Sequence, residues 1–393
     1  TETVQGITEY RYNGLHYVSS IKDPEGNVKR EERDNLGNLI RKYSGRQSGG
    51  RTSSVGYSYR YDYLDRLIWV RDPLGREKTF IRDGRGNVLR ESLLAKRTIP
   101  ETAVPVIRST YDANDHLLET IYPDGGIWKE KHDAEGCLVT EEMPDQNVVH
   151  TVYDSMDRIL KQTGTDGKTI REYEYDLKGN VIREVDALGQ DKCFRYDEAG
   201  RMTGVWEYVS PDEYRVTFYK YDDMDHVTEE KRGLHGVGKF ETPTRYLTIK
   251  KTYDKEGRLV TVSDMSMEMQ YTYDMMNNRT SETAVIDDRG TQRTVYYRYD
   301  KNGRLVEKKE DAGDKTLSVT AYTYDASDNL TGVTLPEGGK IFLIYDEAES
   351  LIYKLEREDR HHILRGIRYT YADFCPVSAE QLYGCLLYTS DAA

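Results

Sequence analysis

The chain has 393 residues, a formal net charge of −13, 32% charged residues and only 37% hydrophobic residues. Its acidity argues against nucleic acid as the main partner, because phosphate binding requires a basic face. Its 33 Tyr, against 6 Phe and 3 Trp, argue against a disordered chain, because Tyr suits a half-exposed pleated surface. No run of 18 apolar residues occurs, so no membrane-spanning helix is predicted. The composition therefore predicts extensive β-sheet with thin cores.

One short sequence motif recurs along most of the chain. The segment "RYDEAGRM" at 195–202 returns as "KYDDMDHV", "TYDKEGRL", "RYDKNGRL" and "TYDASDNL". The Asp of each copy, called here the motif Asp, occurs in chain order at Asp34, Asp62, Asp83, Asp112, Asp133, Asp154, Asp176, Asp197, Asp222, Asp254, Asp274, Asp300, Asp325 and Asp346. The commonest step is 21 residues, and a recurring period of this size is typical of a repeat architecture.

Each copy predicts a strand, a tight turn and a second strand. The third residue after the motif Asp is Gly, Asp or Asn in every copy except the last, which has Glu349. These three residue types tolerate positive φ, which a type I turn followed by a left-handed residue requires. Asp favours the first position because its carboxylate caps backbone N–H groups. The predicted structural motif residues are Tyr61, Asp62, Tyr111, Asp112, Tyr153, Asp154, Tyr175, Asp176, Gly179, Tyr196, Asp197, Gly200, Tyr221, Asp222, Tyr253, Asp254, Gly257, Tyr273, Asp274, Tyr299, Asp300, Gly303, Tyr324, Asp325, Tyr345 and Asp346.

A second turn is predicted at the other end of each repeat. The segments that predict it are "DPEG" at 23–26, "DPLG" at 72–75, "PDGG" at 123–126, "TDGK" at 165–168, "DALG" at 186–189 and "PEGG" at 336–339. Pro near the start and Gly near the end favour type I geometry. We call these the return turns and the turns at the motif Asp the YD turns. Two strands with a turn at each end make an antiparallel meander.

The strands themselves alternate Tyr with polar residues at period two, as in "REYEYD" and "MQYTYD". Tyr173 and Tyr175 therefore share a face, as do Tyr322 and Tyr324. Rings on one face are predicted to pack as ladders across neighbouring strands.

Three segments interrupt the period, at 44–55, 94–106 and 233–244. We interpret them as surface loops, and they are the better candidates if any part of the chain contacts a cargo or receptor. The last nine residues, "CLLYTSDAA" at 385–393, resemble the translation of a sequencing adapter and are set apart from fold reasoning.

No catalytic, cofactor or metal site is predicted. Paired carboxylates can act as acid and base, but every motif Asp lies in a turn position that has its own reason for Asp. Calcium-binding patterns are absent, and the four Cys are far apart without a CxxC pair. His116 and His226 occupy a position that holds Arg or Asn in most other copies, which predicts an exposed strand position. The pair His361–His362 has no further His or Cys at ligand spacing.

About fourteen hairpins would make a sheet far wider than the roughly ten strands at which open sheets curl or split. No sustained 3.6-residue period predicts helices to cover it. A stack of β-sandwiches would need more Val, Leu and Ile. The predicted fold class is thus all-β, an antiparallel hairpin array that curls into a spiral or open barrel-like shell.

At a period near 21, "YD-x-x-G-R-L" resembles the YD repeats of RHS proteins over about residues 20–351. The same motif builds the shells of Tc toxin B–C components and the barrel of teneurins. This resemblance implies a spiralling β shell that, in bacterial members, encloses a C-terminal toxin domain and is secreted or carried on the cell surface. The family's self-cleavage segment, "DPxGL", is not recognised, because "DPLG" continues with Arg76. The sequence is accordingly interpreted as an internal piece of a shell, with residues 1–384 as one repeat array.

Two functions remain open at this stage. The first is encapsulation of a C-terminal toxin domain by a non-enzymatic wall. The second is adhesion, in which an extracellular Tyr-rich surface binds glycans or a cell-surface receptor. Structural packing explains the Tyr pattern as well as sugar stacking does, so the pattern does not separate the two.

Overall fold

The computed structural model describes residues 7–43, 47–48, 51–52, 56–92, 95–96, 104–234, 236–285, 292–312, 315–357, 363–372 and 375–383. His235, the pair 361–362 and the segment 385–393 lie outside the described residues. Within the described part of the chain the secondary structure consists of strands and turns, without a helix. A membrane-crossing helix is accordingly not found among these residues.

The strands are β1 (Glu9–Tyr12), β2 (Val18–Lys22), β3 (Val28–Arg33), β4 (Leu39–Tyr43), β5 (Gln47–Ser48), β6 (Arg51–Thr52), β7 (Gly56–Tyr61), β8 (Leu67–Arg71), β9 (Arg76–Arg82), β10 (Val88–Ser92), β11 (Ala95–Lys96), β12 (Val106–Tyr111), β13 (Leu117–Ile121), β14 (Ile127–His132), β15 (Leu138–Glu142), β16 (Val148–Tyr153), β17 (Ile159–Thr163), β18 (Thr169–Tyr175), β19 (Val181–Asp186), β20 (Asp191–Tyr196), β21 (Met202–Ser210), β22 (Glu213–Tyr221), β23 (Val227–Gly233), β24 (Tyr246–Tyr253), β25 (Leu259–Ser263), β26 (Glu268–Tyr273), β27 (Arg279–Val285), β28 (Gln292–Tyr299), β29 (Leu305–Ala312), β30 (Lys315–Tyr324), β31 (Leu330–Thr334), β32 (Lys340–Tyr345), β33 (Leu351–Arg357), β34 (Ile363–Ala372) and β35 (Cys375–Tyr383).

The chain divides into two compact units. Unit 1 comprises Thr1–Arg108, Tyr273–Ser281 and Thr294–Ala393. In it β1 to β4 pair antiparallel in sequence order, β4 pairs with β7, and the order continues from β7 to β10. The strands β29 to β35 form a second run of the same kind.

Unit 2 comprises Ser109–Thr272 and Glu282–Arg293. From β13 to β26 each strand pairs antiparallel with the next one along the chain. The predicted all-β antiparallel hairpin array is therefore confirmed in both units.

The YD turn has one geometry throughout. The residue three after the motif Asp has positive φ in all fourteen copies, from 59° at Asp157 to 112° at Gly86, and Glu349 conforms with 66°. A left-handed residue after a type I turn adds one residue to a hairpin loop and bulges the strand beside it. The register shift seen between Glu174 and Tyr175, where Tyr175 pairs with Val181, is this bulge.

Buried apolar side chains are few among the described residues, as expected for a half-exposed sheet. They are Val106, Cys193, Val205, Trp206, Tyr214, Val216, Ala348 and Leu355. Four of them, Cys193, Trp206, Tyr214 and Val216, form one cluster in unit 2. Stability elsewhere must come mainly from the strand ladders and from the polar contacts of the turns.

Candidate functional site

The carboxylate of the motif Asp closes its own turn. Asp62 Oδ1 accepts the backbone N–H groups of Leu64 at 2.9 Å and Arg66 at 3.0 Å, and Arg66 Nε donates to Oδ2 at 2.7 Å. The hydrogen bond from Arg66, helped by the two backbone N–H groups, holds the pKa of Asp62 below its ordinary value. The same two-residue and four-residue contacts recur, for example, at Asp34, Asp112, Asp154, Asp176, Asp254, Asp274 and Asp325.

These contacts determine what the motif Asp can do chemically. A carboxylate whose pKa is lowered is a poor proton donor at neutral pH, and its oxygens already accept three hydrogen bonds. The geometry supports a structural role for this residue. Among the described residues, no group of three or more His, Cys, Asp and Glu side chains is arranged to hold a metal ion.

The motif Tyr connects its repeat to the one before it. Tyr175 Oη donates to the backbone carbonyl of Ile159 at 2.7 Å, and Ile159 lies five residues after the preceding motif Asp. The same contact, at 2.6 to 3.0 Å, is made by Tyr61, Tyr153, Tyr196, Tyr221, Tyr253, Tyr299, Tyr324, Tyr345 and Tyr371. Arg82 replaces Tyr in one copy, and its Nε reaches the equivalent carbonyl, that of Leu67, at 3.3 Å. A donor at this position is thus common to these repeats, even where the aromatic ring is lost.

The residue four after the motif Asp makes a third connection, toward the next repeat. Arg201 Nη1 donates to the carbonyl of Asp222 at 3.1 Å and to Asp225 Oδ1 at 2.8 Å. Its guanidinium also lies over the Tyr221 ring, 5.0 Å from the centroid. Arg304 repeats these contacts with the turn at 325–328 and with Tyr324. Cation–π and charge-assisted contacts therefore connect successive YD turns.

The predicted exposed position of His116 and His226 is wrong. Both side chains are half-buried, and each Nδ1 lies 3.1 Å from Oδ2 of its own motif Asp. The His226 ring stacks on Tyr253 at 4.6 Å, and His116 stacks on His132 at 4.7 Å. Imidazole thus occupies the place of the Arg guanidinium, packed on the ring of the following repeat.

Tyr208 and Tyr214 pack across neighbouring strands as predicted, with ring centroids 5.9 Å apart, but the motif Tyr rings contact a different partner. Tyr173 and Tyr175 lie side by side on one strand, with centroids 6.4 Å apart. Across the repeat boundary, the Tyr175 ring contacts the guanidinium of Arg158 at 4.4 Å. Alternation correctly predicts which residues share a face, but the partner across the boundary is the Arg of the preceding turn.

A second polar cluster surrounds Asp191 in unit 2. Asp191 is buried, and its carboxylate accepts from Tyr214 Oη at 2.5 Å, from Arg183 Nε at 3.1 Å and from Lys239 Nζ. Burial alone would raise the pKa of Asp191, but the three donors outweigh it and the pKa is lowered. Burial and the neighbouring Asp191 carboxylate raise the pKa of Tyr214. The carboxylate is neutralised locally, as a buried charge requires.

Lys239 belongs to the 233–244 segment, which the sequence predicted to be a surface loop. Val237 pairs with Tyr214 through two backbone hydrogen bonds, and Phe240 packs on Trp206 with centroids 5.6 Å apart. Trp206 Nε1 donates to the carbonyl of Glu241 at 3.1 Å. The described part of this loop therefore covers the apolar cluster. Apolar residues between glycines are the sequence signal for such a cover.

The repeat geometry defines a class of protein: an antiparallel hairpin array in which Asp closes each turn and Tyr and Arg join it to its neighbours. The teneurin YD-shell family model matches residues 77–240, and the RHS repeat model matches residues 299–340. Over these residues the chain is thus similar to YD-shell and RHS repeats, in line with the resemblance that the sequence predicted.

Relatives and solved structures agree with this assignment. The chain is 25% identical over 264 residues to the probable deoxyribonuclease RhsA of Dickeya dadantii, which is 64% of this chain and 16% of that protein. It is 25% identical over 208 residues to the double-stranded DNA deaminase toxin A of Burkholderia cenocepacia, covering 51% of this chain and 12% of the relative. The crystal structure of TcdB2–TccC3 without its hypervariable C-terminal region matches 95% of this chain and 22% of its own, with a TM-score of 0.66 and 15% identity. This structural similarity confirms the fold class, and the chain spans less than a fifth of either curated relative.

Proposed function

We propose that this chain forms part of the wall of a bacterial toxin shell, which is secreted or displayed on the cell surface. The wall encloses a toxin domain that belongs to the same polypeptide. The observation that carries the proposal is the match of 95% of the chain to TcdB2–TccC3, combined with relatives named as a deoxyribonuclease and a deaminase toxin.

The chemistry of the repeat suits a wall. The strands of each hairpin pair through backbone hydrogen bonds with those of the next hairpin. The side-chain contacts of Tyr and Arg also recur from one repeat to the next. Such an array can be lengthened by adding repeats, because each repeat depends mainly on its neighbours. A broad sheet of this kind can separate an enclosed chain from proteases without any catalytic group of its own.

The test uses the natural polypeptide that contains this chain together with all of its following sequence. A site-specific protease sequence is inserted into the domain after the repeats. As a matched control, a second variant of the same polypeptide carries the protease sequence at Leu177, a fully exposed turn residue. We expect cleavage at Leu177 under native conditions, and cleavage in the following domain only after mild denaturation.

Equal native cleavage at both insertions would refute encapsulation. A following sequence made of adhesive repeats or a wall anchor would also refute it. Specific, saturable binding of the native protein on a glycan array would favour the adhesion hypothesis instead, since sugar rings stack on exposed aromatic side chains.

A further inference from the structure

Six strands of unit 1, β1 to β4, β7 and β8, present a row of cations on one face. Residues directly opposite each other on neighbouring antiparallel strands point to the same side of the sheet, as do alternate residues along a strand. The strand registers therefore define one face, called here the Arg face, that carries Arg11, Lys22, Arg30, Arg41, Arg60 and Arg71. All six residues are exposed, whereas only two carboxylates of these strands, Glu9 and Glu32, share the face.

This positive face belongs to a chain whose overall charge is −13. Residues 1–108 contain 20 Lys and Arg against 14 Asp and Glu, so the acidity of the chain comes from the residues that follow. A local basic surface on an acidic protein attracts an acidic partner to that one place.

Two triplets on the Arg face have the same composition. Ser20 lies directly opposite Arg11 on one neighbouring strand and Arg30 on the other. Ser58 lies between Arg41 and Arg71 in the same way. Because neighbouring strands are about 4.8 Å apart, two guanidinium groups flank one small hydroxyl in each triplet. Guanidinium and hydroxyl donors at this spacing can bind a single oxyanion together.

The first triplet is open to an anion from outside. Arg11, Ser20 and Arg30 line a cavity of about 140 Å³, together with Glu9, Lys22 and Val28. Glu9 is paired with Lys22 at 3.1 Å. Within the described residues, neither Arg11 nor Arg30 makes an ion pair with a carboxylate. The two guanidinium groups are therefore available to a ligand.

The second triplet shows which anion these side chains bind. Arg41 Nη1 lies 3.5 Å from Glu32 Oε2, and Arg71 Nε lies 3.9 Å from Glu77 Oε1. Both contacts are made at the outer side of an Arg, while Ser58 lies between the two Arg residues. The Arg side chains of this face thus already bind carboxylates.

The distance between the triplets requires a polymer. Ser20 on β2 and Ser58 on β7 are separated by three strand-to-strand steps, or about 14 Å. A small anion cannot reach both triplets. An extended polypeptide covers this distance in about four residues, and side chains four residues apart on an extended chain point to the same side.

We propose that the Arg face binds an extended acidic segment of a partner protein, with one carboxylate at each triplet. Charge complementarity and the spacing of the triplets support this partner. The rings on the face, Tyr43 and Trp69, are half-buried, and the Arg60 guanidinium lies 4.3 Å from the centroid of the Trp69 ring. The face therefore lacks the open aromatic rings on which the bases of a single-stranded nucleic acid would stack. A planar membrane would contact only part of it, because neighbouring strands are twisted by about 20–25°.

The test uses the whole chain and a fluorescent peptide of about twelve residues in which Glu alternates with Thr. Binding is measured by fluorescence anisotropy at low ionic strength. We expect Arg11→Gln combined with Arg30→Gln to weaken binding about tenfold, because two charge-assisted contacts are lost. Arg41→Gln combined with Arg71→Gln should have a similar effect.

The matched control removes the same charge from unit 2. Lys129 and Lys131 are exposed residues of β14, so Lys129→Gln combined with Lys131→Gln should change the Kd by less than about twofold. Arg11→Lys combined with Arg30→Lys keeps the charge but loses the planar fork, and it should weaken binding about threefold. Circular dichroism checks that each variant retains its β-sheet.

Absence of peptide binding by the unchanged chain would overturn the proposal. Equal weakening by the Lys129 and Lys131 pair would also overturn it, because the attraction would then be general. Tighter binding of polyphosphate, of a single-stranded oligonucleotide or of phosphatidylglycerol vesicles, lost in the same Arg variants, would refute a polypeptide partner. None of these outcomes depends on an enclosed toxin.

Discussion

At the left-handed residue of a turn, we predict that replacing Gly by Ala lowers stability and that replacing a non-Gly residue by Gly raises it. Gly167 has φ +74°, and a Cβ placed there would meet no atom within 4 Å. Gly167→Ala therefore isolates the backbone cost of a side chain in the left-handed region, about 1 kcal/mol. By contrast, Gln146 is a non-Gly residue already held at φ 68°, so Gln146→Gly should relieve that strain. After subtraction of the extra entropy that Gly has in the unfolded chain, the expected stabilisation is up to about 1 kcal/mol.

Gly257 adds a steric effect at nearly the same φ. Its φ is +78°, and a Cβ would lie 2.9 Å from Nε2 of His226, whose ring is stacked on Tyr253. Moving that ring disturbs the connection between two repeats, and overpacking of this kind costs about 1–3 kcal/mol. Gly257→Ala should therefore cost about 2–4 kcal/mol in total, from the backbone and steric contributions together.

Native-state hydrogen exchange is the suitable assay, because repeat arrays open locally and one global midpoint can hide a local change. We expect exchange to accelerate about fivefold in β17 and β18 for Gly167→Ala, since 1.4 kcal/mol corresponds to tenfold. Exchange in β24 and β25 should accelerate more strongly for Gly257→Ala, and β15 and β16 should slow for Gln146→Gly. Equal effects of the two Ala substitutions, or faster exchange in Gln146→Gly, would refute the reasoning.

Two further predictions concern the core and the turn carboxylates. Trp206 is fully buried under the 233–244 segment, so Trp206→Ala should lower the free energy of unfolding by about 3–5 kcal/mol, as measured by urea denaturation. Trp128 is half-buried, so Trp128→Ala should lower the free energy of unfolding clearly less. The backbone N–H and guanidinium of Arg201 lower the pKa of Asp197, so its contribution to stability is complete above its ordinary value of 3.8 and is lost as the pH falls through the folded pKa. Urea denaturation followed by circular dichroism should accordingly show stability falling as the pH drops below about 4, and Asp197→Asn should reduce the acid dependence of exchange in β20 and β21.

Much of the local structure is predictable because it depends on neighbouring residues. Period-two alternation and residues that accept positive φ act within a few positions, so the turns at Asp176 or Asp300 follow from their own sequence. The exception, Glu349, still adopts φ 66° because both flanking strands fix the loop length around it. The hydrogen-bonded strands on either side thus determine the backbone conformation of Glu349, although Glu is uncommon at positive φ.

The contacts between repeats are harder to predict. The packing of His226 on Tyr253 depends on the twist between hairpins, and the contact of Lys29 with Asp328 depends on that twist summed over many hairpins. Neither the twist between two hairpins nor its sum over many hairpins has a local sequence signal. The cover provided by Lys239 over Asp191 is likewise a tertiary contact, which spans 48 residues.

The motif Tyr residues predict an alkaline limit to stability. Burial raises the pKa of the phenols at Tyr61, Tyr153, Tyr175, Tyr196, Tyr221, Tyr253, Tyr299, Tyr324 and Tyr345 above the ordinary value of 10.0. The fold therefore prefers the protonated phenol, and this stabilisation is complete below pH 10 and is lost as the pH rises through the folded pKa. A phenolate also loses the proton that each Tyr donates to the preceding repeat. Absorbance at about 295 nm should thus rise steeply together with the loss of the β-sheet circular dichroism signal, because ionisation and opening of the repeats are coupled. A gradual phenol titration with an unchanged circular dichroism spectrum would contradict the role assigned to these hydroxyl groups.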